Sequence, residues 1–138
     1  MTKSTFAILA ALSLAAVSLM GQSSPQLRVN VPFDFVAGSQ NFQAGEYIVR
    51  TGLLPNSTWI RSTTSGANAI FLSHPALSRT ATDEASLKFH RYGDRYFLYQ
   101  IWTLGDGVGQ EMPKSRAESE EIAARPASRG TVTLAARR

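Results

Sequence analysis

Two histidines, His74 and His90, are the only imidazoles in the chain, and there is no cysteine. Zinc takes three or four protein ligands, so a metal site would need both histidines together with carboxylates such as Asp83 and Glu84. No H-E-x-x-H spacing gathers such ligands on one helix face, and no metal or cofactor is assigned. The absence of cysteine excludes thiol nucleophiles, iron–sulfur clusters, disulfides and a lipid-modified N-terminal cysteine. Serine catalysis lacks its G-x-S-x-G elbow. Ser73 and His74 are neighbours in sequence, which in a strand would point them to opposite faces. Asp83–Glu84 and Glu120–Glu121 could act as the paired carboxylates of a glycosidase. The first pair falls in a polar loop, however, and the second on a solvated helix face. Gly105-x-Gly107-x-Gly109 is not a Walker A motif, since no glycine leads into Lys114, and no βαβ unit surrounds it. It reads as a flexible connection. Asn56-Ser57-Thr58 has the form of a glycosylation sequon, which bacterial-type export would leave unused. No catalytic residue is assigned, and the reading leans away from an enzyme.

What remains is a face. Lys88, His90, Tyr92, Arg95 and Tyr99 alternate along two strand-like runs and mix aromatic rings with cationic tips. Such a surface could hold a glycan or an acidic polymer by stacking and charge. The same face could equally be covered by the C-terminal segment or by a second sheet.

The runs that carry this face form the best hairpin signal in the chain. Leu87–Tyr92 and Arg95–Trp102 flank Gly93-Asp94, a two-residue turn with glycine first. The register pairs Tyr92 with Arg95, Arg91 with Tyr96, His90 with Phe97 and Phe89 with Leu98. Strict alternation then puts Leu87, Phe89, Leu98 and Trp102 on one side. Lys88, His90, Tyr92, Phe97 and Ile101 fall on the other.

Upstream, Gln26–Phe35 alternates over its whole length, with Leu27, Val29, Val31, Phe33 and Phe35 on one side, the pattern of a half-buried strand. Pro32 has no N–H for a ladder and predicts an edge or a bulge. Turns at Ala37-Gly38-Ser39 and Gln43-Ala44-Gly45 come next, then strands at Glu46–Arg50, Thr58–Ser62 and Asn68–Leu72. His74–Ala85 reads as the longest polar loop. Ser115-x-x-Glu118 opens a capping box for a helix over Lys114–Arg125, stopped by Pro126. Its apolar stripe (Ala117, Ile122, Ala124) is thin, so weak docking is expected. Thr131–Ala135 could be a last strand. The expected fold is all-β: a small antiparallel sandwich or partly open barrel of about six or seven strands with a short C-terminal helix.

Domain organisation can be read from composition. Met1–Met20 has Lys3 followed by an uncharged apolar run from Phe6, and small residues come next at Gly21 and Ser23. This is the layout of a cleaved export signal ending at Ser23; a spanning helix needs about 18 to 20 apolar residues. Removing Met1–Ser23 leaves 115 residues with a charge of +3. The expected divisions are a signal over 1–23, a β domain over 24–104, and a glycine loop, helix and last strand over 105–138. All aromatic residues after the signal lie between Phe33 and Trp102. The basic residues are dispersed among acidic ones, so the charge suits an anionic envelope surface, or serves solubility alone, and argues against nucleic acid.

Two blocks carry a resemblance: VPFDFVAGSQNFQAGEYIVR, Val31 to Arg50, and FHRYGDRYFLYQIWTLGDGVGQEMPKSR, Phe89 to Arg116. They resemble small exported proteins of the acidobacterial type, in which a PF-x-F strand leads to an AG-x-Y-x-V turn and strand. An F-x-x-YGD-x-YFL hairpin then runs to a PKS-R helix start. Here Phe42-Gln43-Ala44-Gly45 replaces a Leu-Pro-Ala-Gly turn. The resemblance implies an exported protein and transfers no catalytic or binding residue. Three functions stay open: a non-enzymatic periplasmic or extracellular domain binding an envelope glycan or protein, a small hydrolase using Asp, Glu and His, and a structural subunit docking through an edge strand. The oligomeric state is left open, and no membrane span is expected once the signal is cleaved.

Overall fold

The computed structural model describes residues 26–105, 107–126 and 129–138. The expected signal segment lies outside them. Along the chain come β1 (Gln26–Val31), β2 (Phe35–Ala37), β3 (Gln40–Phe42), β4 (Gly45–Thr51), β5 (Ser57–Ser62), β6 (Asn68–Leu72), β7 (His74–Leu77), β8 (Ser86–Tyr92), β9 (Arg95–Trp102), β10 (Val108–Glu111), α1 (Arg116–Ala124) and β11 (Arg129–Ala135). They form two sheets. Sheet A is antiparallel, in the order β1-β4-β5-β6. Sheet B runs β11-β8-β9-β10-β7, with β2 beside β9 and β3 beside β2. The class is all-β with one short helix and no closed barrel among the described residues. The strands outnumber the six or seven expected, because several are only three or four residues long.

Alternation builds the core. Leu27, Val29 and Val31 of β1, Tyr47 and Val49 of β4 and Ile60 of β5 point inward from sheet A. Leu87, Phe89, Leu98 and Ile101 answer from sheet B. The run expected as one strand over Gln26–Phe35 is in fact two. It leaves sheet A at Val31 and enters sheet B at Phe35. Pro32 sits at the break, where its missing N–H costs no ladder bond, and Asp34 Oδ1 accepts from Ala44 N at 2.8 Å to fix the crossing. His74–Ala85 is likewise not all loop. Its first four residues are β7, an edge strand that can carry Pro75 because among the described residues it pairs only β10.

The hairpin has the expected register from Tyr92↔Arg95 to Phe89↔Leu98. Gly93 takes φ +59 as the glycine-first turn requires. Beyond Leu98 the register shifts: Lys88 pairs Gln100, leaving Tyr99 as an extra residue. This bulge reverses the alternation of the rest of β9. Ile101, expected on the outer face, is therefore in the core opposite Leu87, and Trp102 passes to the side of Lys88.

The C-terminal part is built into the same sheet rather than set beside it. β11 pairs seven residues of β8, from Arg129↔Tyr92 to Ala135↔Ser86, and Val132 and Leu134 pack against the core. Gly109 is no flexible connector either. It is a buried strand residue against Trp102, where a Cβ would lie 2.7 Å from the indole and 2.8 Å from Ile101 O. At one side of the sandwich Arg28 and Arg137 exchange backbone hydrogen bonds of 2.6 and 3.0 Å, joining the edge of β1 to the chain after β11. On the other side β6 pairs only β5 among the described residues.

Candidate functional site

The outer face of sheet B, where the aromatic and cationic residues of the hairpin were expected to act together, is partly roofed by α1. Ser115 caps the helix, its Oγ accepting from Glu118 N at 3.1 Å, as the capping box predicts. The docking is tight, however, where the thin apolar stripe predicted it to be weak, because a buried polar contact supplements the stripe. Ala117 and Ile122 pack on Val36, Tyr92 and Phe97, and the Glu118 carboxylate turns inward with the residue only 3% exposed. His90 Nδ1 lies 2.6 Å from Glu118 Oε1, and Tyr92 OH donates to the same oxygen at 3.1 Å. Arg129 approaches His90 Nε2 at 3.3 Å. A guanidinium can only donate, so Nε2 accepts and Nδ1–H donates to Glu118. Tyr99 stacks on the imidazole at 3.6 Å.

The five expected contact residues thus fare differently. His90 and Tyr92 are buried, Lys88 and Tyr99 are half-buried, and Arg95 is exposed and paired with Glu121 at 2.8 Å. Burial pushes the Tyr92 phenol above its ordinary range, and the Glu118 carboxylate adds to the rise. Burial raises Tyr99 too, against a hydrogen bond with Thr131 that pulls it down. The recess beside Glu118, bounded by Val36, Phe97, Pro113 and Ser115, has no room for a water molecule. This is a sealed polar lock holding a helix to a sheet.

The other residues weighed for chemistry are scattered. His74, Asp83 and Glu84 are exposed, while Ser73 is buried between Thr58 and Gln110, each at 3.0 Å. Among the described residues no group of three His, Asp or Glu side chains could hold a metal ion. No helix of the described residues is long and apolar enough to cross a membrane.

An aromatic–cationic constellation does stand open, on the outer face of sheet A. Thr58 and Ile60 point inward from β5, so Trp59 and Arg61 point out. Arg50 lies directly across from Trp59 in the register. Its guanidinium carbon is 5.5 Å from the indole centroid, and that of Arg61 is 6.0 Å away along the strand. Gln26 Oε1 holds Arg50 in place, accepting from Nε at 3.0 Å and Nη2 at 2.6 Å. Beside them Arg28 is paired with Glu46 at 3.3 Å. Among the described residues neither Arg50 nor Arg61 has a carboxylate partner. Ile70 of β6, opposite Trp59, extends the platform and is 60% exposed. The sequence holds half of the signal for this face: Trp59-x-Arg61 alternates against Thr58 and Ile60. The other half is absent from local pattern, because Arg50 joins the pair only through the β4–β5 register.

No family model matches the chain, nor does any curated protein or solved structure.

Proposed function

We propose that this is an exported, non-enzymatic β-sandwich that binds an acidic glycan of the cell envelope across the outer face of sheet A. The observation that carries this reading is the pair of guanidiniums, Arg50 and Arg61, flanking Trp59 with no carboxylate partner among the described residues. An indole face stacks on the apolar side of a sugar ring, and a guanidinium without a carboxylate of its own can take one from the ligand. A flat face of this kind suits a polymer better than a small molecule, which calls for a concave pocket. Export rests on Lys3, the apolar run after Phe6 and the small residues at Gly21 and Ser23, with the acidobacterial resemblance as support. The histidine–carboxylate pair of His90 and Glu118 is buried under α1, which favours the binding module over the hydrolase.

Electrophoresis through gels containing polygalacturonate, neutral dextran or a single-stranded oligonucleotide tests the binding. Retardation by polygalacturonate alone is expected, lost in Arg50→Gln/Arg61→Gln. Equal retardation by dextran, stronger retardation by the oligonucleotide, or full binding by that double variant overturns the reading. N-terminal sequencing of protein from its native host should begin near Ser24, and retention of Met1 or Thr2 would remove export.

A further inference from the structure

The side of the sandwich opposite the Arg28–Arg137 junction ends on an unguarded strand. Edge strands invite pairing, and proteins commonly blunt them with charge, proline, bulges or a covering segment. The edge of β1 is covered by Arg137, and β7 carries Pro75. β6, Asn-Ala-Ile-Phe-Leu, has none of these devices, and among the described residues it pairs only β5. Its outer edge faces a groove of about 590 Å³ between the strand, the β2–β3 turn at Gly38–Gln40 and the segment Met112–Arg116. One wall is apolar: Ile70 and Leu72 are 60% and 75% exposed, and Phe71 closes on Gly38. The opposite wall brings Lys114 and Arg116, both on the solvent side; Arg116 is paired with Glu120 at 3.1 Å, whereas Lys114 has no carboxylate partner among the described residues.

We infer that this groove receives an extended acidic segment of another protein, added to sheet A as a fifth strand beside β6. Backbone groups of β6 supply the pairing, alternate apolar side chains of the incoming strand cover Ile70 and Leu72, and its carboxylates meet Lys114 and Arg116. Charge selects this occupant. Residues 1–25 of the chain contain Lys3 and no Asp or Glu, and β6 of a second copy is uncharged. Neither brings the carboxylate that Lys114 lacks. The site shares Ile70 with the border of the Arg50–Trp59–Arg61 platform but uses none of those three side chains, so each can fail without the other.

A labelled, end-blocked peptide of alternating Val and Glu, about seven residues long to span β6 at ~3.4 Å per residue, tests the inference by fluorescence anisotropy. It should bind, and a Val/Lys peptide of equal length should bind at least about tenfold more weakly. Methylating the backbone nitrogens of alternate Val/Glu residues should abolish binding, since the strand could no longer pair. Lys114→Glu/Arg116→Glu, at two positions on the solvent side, should weaken the Val/Glu peptide similarly with an unchanged circular dichroism spectrum. Arg50→Gln/Arg61→Gln should leave peptide binding intact. Equal affinity for the Val/Lys peptide, full binding by the Lys114/Arg116 variant, or binding of the methylated peptide overturns the inference. So does gel filtration showing a dimer that excludes the peptide, because a second copy would then be the occupant.

Discussion

The outer faces of the two sheets use the same kinds of residue to opposite ends. Sheet B presents His90, Tyr92, Arg95 and Phe97, and α1 covers them with Glu118 and Glu121. There Arg95 finds Glu121, Glu118 takes hydrogen bonds from His90 and Tyr92, and Lys88 lies over the Trp102 ring. Sheet A presents Arg50, Trp59 and Arg61 with neither a helix nor a carboxylate set against them among the described residues. Aromatic–cationic composition therefore does not distinguish a packing face from a binding face. What distinguishes them is whether another element arrives with matching acids. Desolvating a charge without a counter-charge is costly, so a face whose arginines lack carboxylates stays in water or waits for a ligand.

The most damaging way to probe this contrast is to end the chain at Arg125. That removes β11, strips seven pairings from β8 and takes Val132 and Leu134 from the core. Each such half-buried side chain contributes at most about 1.5 to 3 kcal/mol, which together with the lost pairings is a large share of the ~5–15 kcal/mol that holds a domain together. No cooperative thermal transition should remain. A folded product would show that sheet B does not depend on its C-terminal strand.

Glu118→Ala comes next. It leaves the neutral His90 and Tyr92 donors buried without their shared acceptor, and each unsatisfied buried donor costs about 1 to 3 kcal/mol. Denaturant titration should show a loss of that size. A loss below about 1 kcal/mol would mean that α1 is held by Ala117 and Ile122 alone. Gly109→Ala forces a Cβ onto Ile101 O and Trp102, and overpacking of this kind costs about 1 to 3 kcal/mol. A neutral result would return Gly109 to the role of a simple connector.

The phenols give the lock a pH signature. Burial raises Tyr47, Tyr92 and Tyr99 above the ordinary value of 10.0, and Glu118 adds to the effect at Tyr92. Above that pH the unfolded chain releases these protons while the folded protein retains them. The unfolded state then binds fewer protons, so stability falls as pH rises through and beyond about 10 and is unaffected by these groups below it. Tyr92→Phe should make the alkaline fall shallower. An unchanged slope in urea melts above about pH 10 would remove Tyr92 from this account.

The smallest stability effects belong to sheet A. Trp59→Ala and Arg50→Gln/Arg61→Gln should each cost no more than about 1 kcal/mol, the size of exposed cation–π contacts, while abolishing retention on polygalacturonate. If Trp59→Ala instead destabilises as strongly as Glu118→Ala, the two faces do the same structural work and the contrast fails.

Local pattern in the sequence was enough for the all-β class, the Gly93-Asp94 hairpin with its first four cross-strand pairs, the strand at Asn68–Leu72 and the Ser115 cap. Each depends on residues within a few positions of one another: period-two alternation, a glycine free to take positive φ, or a hydroxyl one turn from an N–H. Tertiary structure decided the rest. The bulge at Tyr99 moved Ile101 into the core between the sheets and Trp102 to the other face of sheet B, where it stays buried beside Gly109, and Met112 N, from the segment after β10, bonds the Tyr99 carbonyl at 2.9 Å. Glu118 has the sequence context of a solvated helix, yet His90 and Tyr92, from a strand 28 and 26 residues away, draw its carboxylate inward. Periodicity shows that a strand has two faces. Which of them is covered depends on elements that meet it from far along the chain, and here α1 covers sheet B while the face of Arg50, Trp59 and Arg61 stays open.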